Sequence, residues 1–462
     1  MKKLLIIGLD CATPQLMFDE YRDELKNISY LMENGVYGKM KSTIPPITVP
    51  AWTSMVTGKD PGELGFYGFR NRKSYGYEDL YFANARFVRE KTLWNYMSMN
   101  RKRSIIVGVP QTYPPKPLNG ILVSSFLTPD KNSQYTWPRD IAKRLDEIAD
   151  GDYIIDVKNF RTDDKDWLLE QIYTMTERRF KVVKEFLRGE PWDFFMFVEM
   201  GIDRIHHAFW RFCDKNHRLY EKGNRYEDAI LNYYKFVDEK IGEILEILDK
   251  DTSILVVSDH GAKGMKGGVC INDWLIEKGY LKLNRRVEGI EKLRPDMIDW
   301  KNTKVWGEGG YYGRIFFNVE DREPEGVIPK EEYDSFRDKF IEELKEIRDE
   351  NGNDMGTVVY KPEEVYRECK NIPPDLIVYF GNLDYRSAGT VGHKEILIFE
   401  NDTGPDDANH AQEGIFIFAD FQNNFGGKEI YNSIYNITPF VLDFYGIKVN
   451  GGFQGENFLN KI

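Results

Sequence analysis

The sequence predicts an α/β protein built on a largely parallel central sheet, and three observations carry that expectation. Short aliphatic or aromatic runs of buried-strand length recur at residues 4–9, 105–109, 193–199, 254–257 and 414–419. Stretches of helical periodicity separate them, as expected of alternating strands and helices. Asp or His stands at the end of several runs, and in open α/β sheets that edge is where loops converge on a common crevice.

The 462 residues suffice for one large domain with insertions and a sizeable core. A net charge of −12, a pI near 5.3 and the lack of any dense Lys/Arg block set the overall field against duplex nucleic acid and anionic membranes. A phosphate substrate stays possible, because metal ions supply local positive charge. Cys11, Cys213, Cys270 and Cys369 are widely spaced and form no CxxC pair, which suits a reducing compartment. The apolar run after Met1-Lys2-Lys3 ends at Asp10, too short for a secretory signal or a membrane span. A cytoplasmic protein with no membrane partner is therefore expected.

Residues 4–9 read as the first strand, and Asp10 follows at its end, as a ligand or as a cap for the next helix. In Pro45-Pro46-Ile47-Thr48-Val49-Pro50-Ala51-Trp52, prolines hold an extended approach, Pro50 suits a first helical turn, and Gly58 closes the helix. Thr48 then sits at the helix start, where free N–H groups and the dipole suit an alkoxide or a phosphate; an ordinary capping threonine fits the same position. The glycine-rich loop that follows, 58–69, lacks the GK[ST] ending of a P-loop. Residues 70–104 show weak periodicity and read as an insertion, and 167–186 read as a helix.

After the strand at 193–199, Asp203 and His207 stand four residues apart, one helical turn, on a shared face; His206 points elsewhere. Residues 226–248 form an amphipathic helix leading into Ile254-Leu255-Val256-Val257-Ser258-Asp259-His260-Gly261. The region 270–325, rich in Trp, Tyr and Gly, reads as a cap or accessory segment, and 333–347 as another amphipathic helix. A strand is expected at 374–380, and His410 precedes the last strand; His393 stands isolated in the same stretch.

Asp10, Thr48, Asp203, His207, Asp259, His260 and His410 together offer three carboxylates, three imidazoles and a hydroxyl. That set suffices for two divalent cations bridged by the hydroxyl oxygen, and mixed His/Asp ligation suits Zn²⁺ or Mn²⁺ better than Ca²⁺. Two such ions hold the attacking and leaving oxygens of a phosphoryl displacement. Three carboxylates leave the pair of ions near +1, which favours ionisation of Thr48.

The order Asp after the first strand, Thr-x-Pro-x-x-Thr with its closing Thr-Gly, Asp-x-x-x-His, Asp-His-Gly and a late His resembles the type I phosphodiesterase/nucleotide pyrophosphatase family of the alkaline phosphatase superfamily. The resemblance covers nearly the whole chain. It implies an alkaline-phosphatase-like three-layer α/β/α sandwich, residues 1–462 as one catalytic domain, with 70–104 and 270–325 inserted as cap segments. It implies a small phosphate ester or nucleotide substrate and Thr48 as nucleophile through a phosphothreonyl intermediate. Asp10, Asp259 and His260 would bind one ion, Asp203, His207 and His410 the other, with Thr48 between them. One position departs from the pattern: Ala51 stands where many relatives carry an Asn that contacts phosphate. Two alternatives remain at this level, a phosphotransferase or mutase of the same superfamily and a non-catalytic metal-stabilised binding protein.

Overall fold

A computed structural model describes residues 2–461. The core is a ten-stranded sheet. Its main strands are β1 (Lys3–Leu9), β2 (Val36–Lys41), β3 (Ser104–Val107), β4 (Gly120–Val123), β5 (Thr136–Trp137), β6 (Phe194–Glu199), β7 (Thr252–Val257) and β8 (Glu413–Ala419). They lie in the order β2-β8-β7-β1-β6-β3-β4-β5, and Lys428–Glu429 and Asn432–Ser433 both pair with the outer side of β2. The five strands from β7 to β4 are mutually parallel, whereas β8 and β5 run against their neighbours. The continuous apolar runs of β6 and β7 are buried along their whole length, as a sheet covered on both faces requires.

One group of helices, Lys26–Asn34, Lys165–Gly189, Gly201–Cys213 and Ala229–Leu245, packs together; a second group comprises Thr48–Thr57, Leu93–Met99 and Ile437–Phe444. With the sheet they form an α/β/α sandwich around one large apolar cluster. Gly8 is placed by a close approach: a Cβ there would lie 2.6 Å from Trp52 Cη2 and 2.7 Å from Val198 Cγ2. Its absence lets the indole lie directly against β1.

A second apolar cluster draws on residues from Val269 to Tyr385. Its antiparallel sheet takes the strands Val305–Glu308, Gly313–Phe317, Leu376–Tyr379 and Val358–Tyr360 in that order, with the helices Ile271–Glu277 and Tyr333–Lys345 beside it. Among the described residues, no helix is long and apolar enough to cross a membrane.

Candidate metal centre and active site

Register brings the polar strand ends together. Leu9 pairs with Glu199 on one side of β1 and Gly8 with Val257 on the other, so Asp10, the helix Gly201–Cys213 and the segment from Ser258 leave the sheet at one edge. The chain after β7 continues as Gly261–Gly264 and pairs antiparallel with Ala408–Ala411, placing His410 opposite Ala262. His410 thus stands on a separate two-stranded ribbon above the sheet edge. Thr48 is the first residue of its helix, and Gly58 ends that helix at φ 69°, where glycine carries no Cβ penalty.

Asp203 and His207 meet as one helical turn dictates, with Oδ1 3.2 Å from Nε2. His410 Nε2 lies 3.4 Å from His207 Nε2 and 3.9 Å from Asp203 Oδ1. Beside this trio, His260 Nε2 lies 3.2 Å from Asp259 Oδ2 and 3.3 Å from Thr48 Oγ1. Asp10, Asp203 and His260 bring ligand atoms within 4.8 Å of one another, which joins the two groups. All seven residues expected from the sequence are buried in one cluster. His206 is turned away, with Nε2 3.1 Å from Tyr234 Oη.

The surroundings fix how these groups present themselves. His260 Nδ1 faces the Gly261 carbonyl at 3.1 Å, His410 Nδ1 the Pro46 carbonyl at 2.7 Å, and His207 Nδ1 the Asp406 carboxylate at 2.7 Å. Each partner is an acceptor, so each Nδ1 carries hydrogen; the neutral rings of His260 and His410 turn an Nε2 lone pair inward, and that of His207 does so once a cation displaces its Nε2 proton, the arrangement in which imidazoles bind metal. Asp10 accepts from Trp52 Nε1 at 2.6 Å on Oδ2, yet its Oδ1 is buried without a partner, as is Asp259 Oδ2. Orphaned buried carboxylate oxygens call for a cation or a proton.

Electrostatics lead to the same conclusion. Burial, with Asp259 and Asp203 nearby, pushes the Asp10 carboxyl well above its ordinary range, and burial does the same to Asp259. Burial would also raise Asp203, but His207 and Arg204 outweigh it and hold Asp203 well below the usual range. Burial pushes His260 down to about 4 and His410 well below its ordinary value, leaving both rings neutral. His207 alone is driven upward: burial opposes protonation, but Asp406 and Asp203 prevail. Without cations the pocket must retain protons on Asp10, Asp259 and His207, so the donor set fits divalent ions.

A cleft of about 1470 Å³ opens over Thr48, Asp203 and His410, walled by the sheet edge and by the second apolar unit. The sequence matches the family described as type I phosphodiesterase/nucleotide pyrophosphatase over residues 4–407. The chain belongs to this family. Its fold is similar to that of human ectonucleotide pyrophosphatase/phosphodiesterase 5, at 13% identity and TM-score 0.57 over 100% of this chain and 98% of that one. The murine counterpart, solved as an inactive threonine-to-alanine variant with AMP, gives the same identity and TM-score with 99% of its chain covered. No curated protein sequence matches the chain.

Five residues around the site escape sequence reasoning; one, Cys11, is buried with a donor atom within 4.8 Å of those of Asp203, His207 and His410. Asp406 orients His207 and in turn accepts from Arg386 Nη1 at 2.7 Å and Arg161 Nε at 3.1 Å. Arg204 donates to Asp203 and is gripped by Asp156, Nε to Oδ1 at 3.1 Å and Nη2 to Oδ2 at 2.7 Å. Trp52 holds Asp10. Tyr311 stacks on His410 with ring centroids 4.0 Å apart. Of these only Asp406, near His410 in an Asp-Asp-Ala-Asn-His run, carries a local signal, and that signal does not separate it from Asp407.

Proposed function

We propose that this chain is a metal-dependent hydrolase of phosphodiester or nucleotide pyrophosphate bonds in small molecules, with Thr48 as the nucleophile. The observation that carries the reading is the position of Thr48 Oγ1, 3.3 Å from His260 Nε2 at the start of a helix and open to the cleft. Asp10, Asp259 and His260 would hold one divalent ion and Asp203, His207 and His410 a second, Zn²⁺ or Mn²⁺. When bound, such ions supply Lewis-acid charge that favours the Thr48 alkoxide and stabilises phosphoryl oxygens.

The chain's own groups do the rest. Thr48 Oγ attacks phosphorus; the Oγ–P bond forms as the bond to the leaving oxygen breaks. Water then attacks the phosphorus of the threonyl ester, breaking the Oγ–P bond, releasing the phosphate monoester that carries the remaining substituent and restoring the Thr48 hydroxyl. The dipole of Thr48–Thr57 favours negative charge at its first turn. Ala51 offers no side-chain donor, and Arg204, which lines the cleft with two N–H groups uncommitted, takes the place of the missing amide toward phosphate oxygens. The AMP bound by the murine relative fits a nucleotide substrate.

The test is turnover of bis-p-nitrophenyl phosphate and of a dinucleotide substrate with Zn²⁺ or Mn²⁺ present. Thr48→Ala should lose at least ~10³-fold in kcat while retaining its metal. Turnover near the wild-type rate would overturn the nucleophile assignment.

A further inference from the structure

The second apolar unit holds a cluster that the catalytic centre does not use. Donor atoms of Cys270, Asp273 and His393 lie within 4.8 Å of one another. Cys270 is buried at the start of the helix Ile271–Glu277, and Asp273 lies in its first turn. The Asp273 oxygens accept from the backbone N–H groups of Gly392 at 2.8 Å and His393 at 3.3 Å, so the carboxylate is fixed with lone pairs to spare.

The tautomer of His393 follows from its neighbours. Thr390 Oγ1 lies 3.0 Å from Asp402 Oδ2 and 2.8 Å from His393 Nε2. A hydroxyl has one hydrogen, and the acceptor-only carboxylate takes it. Thr390 therefore accepts from His393 Nε2–H, and the neutral ring keeps its lone pair on Nδ1. An imidazole whose far N–H is anchored through a hydroxyl to a carboxylate has the outer arrangement of a metal ligand.

We propose that Cys270, Asp273 and His393 form a zinc site separate from the catalytic centre. Thiolate, imidazole and carboxylate together suit Zn²⁺, and the two anionic ligands neutralise the ion, with water completing the tetrahedron. The ion joins the helix Ile271–Glu277 to the segment around Thr390. Gly389, Thr390 and Asp402 line the cleft, so the site sets the shape of its wall.

The test uses the whole protein loaded with Zn²⁺ or with Co²⁺. The wild type should show thiolate-to-Co²⁺ charge-transfer absorption and bind one Zn²⁺ per chain more than Cys270→Ser or His393→Ala, both of which lose the absorption. Cys11 brings a donor atom within 4.8 Å of those of Asp203, His207 and His410, so Cys11→Ser removes the thiol at the catalytic centre and should still keep the absorption of the Cys270 site. A wild type without the absorption, or absorption that survives when Cys270→Ser is combined with Cys11→Ser, overturns the proposal. His393 is part-exposed, so His393→Ala decides the matter should Cys270→Ser fail to fold. Neither readout depends on turnover.

Discussion

Replacing Asp406 by Asn tests whether His207 is held as a cation ligand. The carboxylate is buried, with one oxygen 2.7 Å from His207 Nδ1 and the other accepting from Arg386 and Arg161. Asn keeps the shape but offers one oxygen and one NH₂. With its oxygen toward His207, the NH₂ faces two guanidinium groups. Turned round, the NH₂ faces Nδ1 and favours the tautomer with hydrogen on Nε2, the atom 3.2 Å from Asp203 and 3.4 Å from His410. Either orientation sets donor against donor in a buried position, at a cost of ~1–3 kcal/mol. Loss of an outer partner of a ligating histidine lowers metal affinity by ~10–100-fold, or ~1.4–2.7 kcal/mol. Competition against a chromophoric chelator should therefore show one class of Zn²⁺ weakened by that factor in Asp406→Asn, with turnover recovering as metal is added. Unchanged affinity, or lost turnover that no metal restores, would refute the reasoning.

Two further outcomes follow from buried charge. The raised carboxyl of Asp259 means that the folded metal-free protein binds this proton more tightly than the unfolded chain, so the group subtracts stability as pH rises above the unfolded value near 4. In chelator, Asp259→Asn should melt higher than wild type at pH 7 and the gap should close toward pH 4; equal melting temperatures at pH 7 would contradict the assignment. Arg204→Ala strands the buried Asp203 and the half-buried Asp156 and should lower unfolding free energy by ~3–5 kcal/mol in urea titrations, with Arg204→Lys recovering part; a loss below ~1 kcal/mol would show that the pair carries little.

The residues of the buried cluster were legible because each sits in its own local pattern. Asp10 and Asp259 end apolar runs, Asp203 and His207 are one helical turn apart, and Thr48 stands where prolines give way to a helix. Their partners were not legible, because pairing depends on the fold. Asp406 meets His207 across 199 residues, while its neighbour Asp407 faces Arg211 instead. Arg204 meets Asp156 across 48 residues, and nothing in a helical Asp-Arg pair says which side chain turns toward such a partner. The same limit applies to whole elements. The helix Tyr333–Lys345 and the strand Leu376–Tyr379 have ordinary amphipathic and apolar patterns, yet those patterns do not say that they pack in the second cluster and not on the main sheet.

Residues beside that second cluster complete the site. Tyr311 lies over both imidazoles, 4.0 Å from the His410 ring and 5.0 Å from that of His207, and the Arg386 guanidinium lies 4.4 Å above the tyrosine. Arg386 also anchors Asp406, so the unit that roofs the cleft fixes the histidine that faces it. An imidazole held between an aromatic face and a carboxylate has no room to rotate, and its lone pair stays aimed at one point. The sheet edge and the ribbon that carries His410 therefore supply the donors, while Tyr311 and Arg386 add to the orientation of His207 and the second unit forms one wall of the cleft. Substitutions on that wall away from Tyr311 and Arg386 should change the order of preference in a panel of phosphate esters more than the metal affinity of the cluster, and equal changes in both would contradict this division.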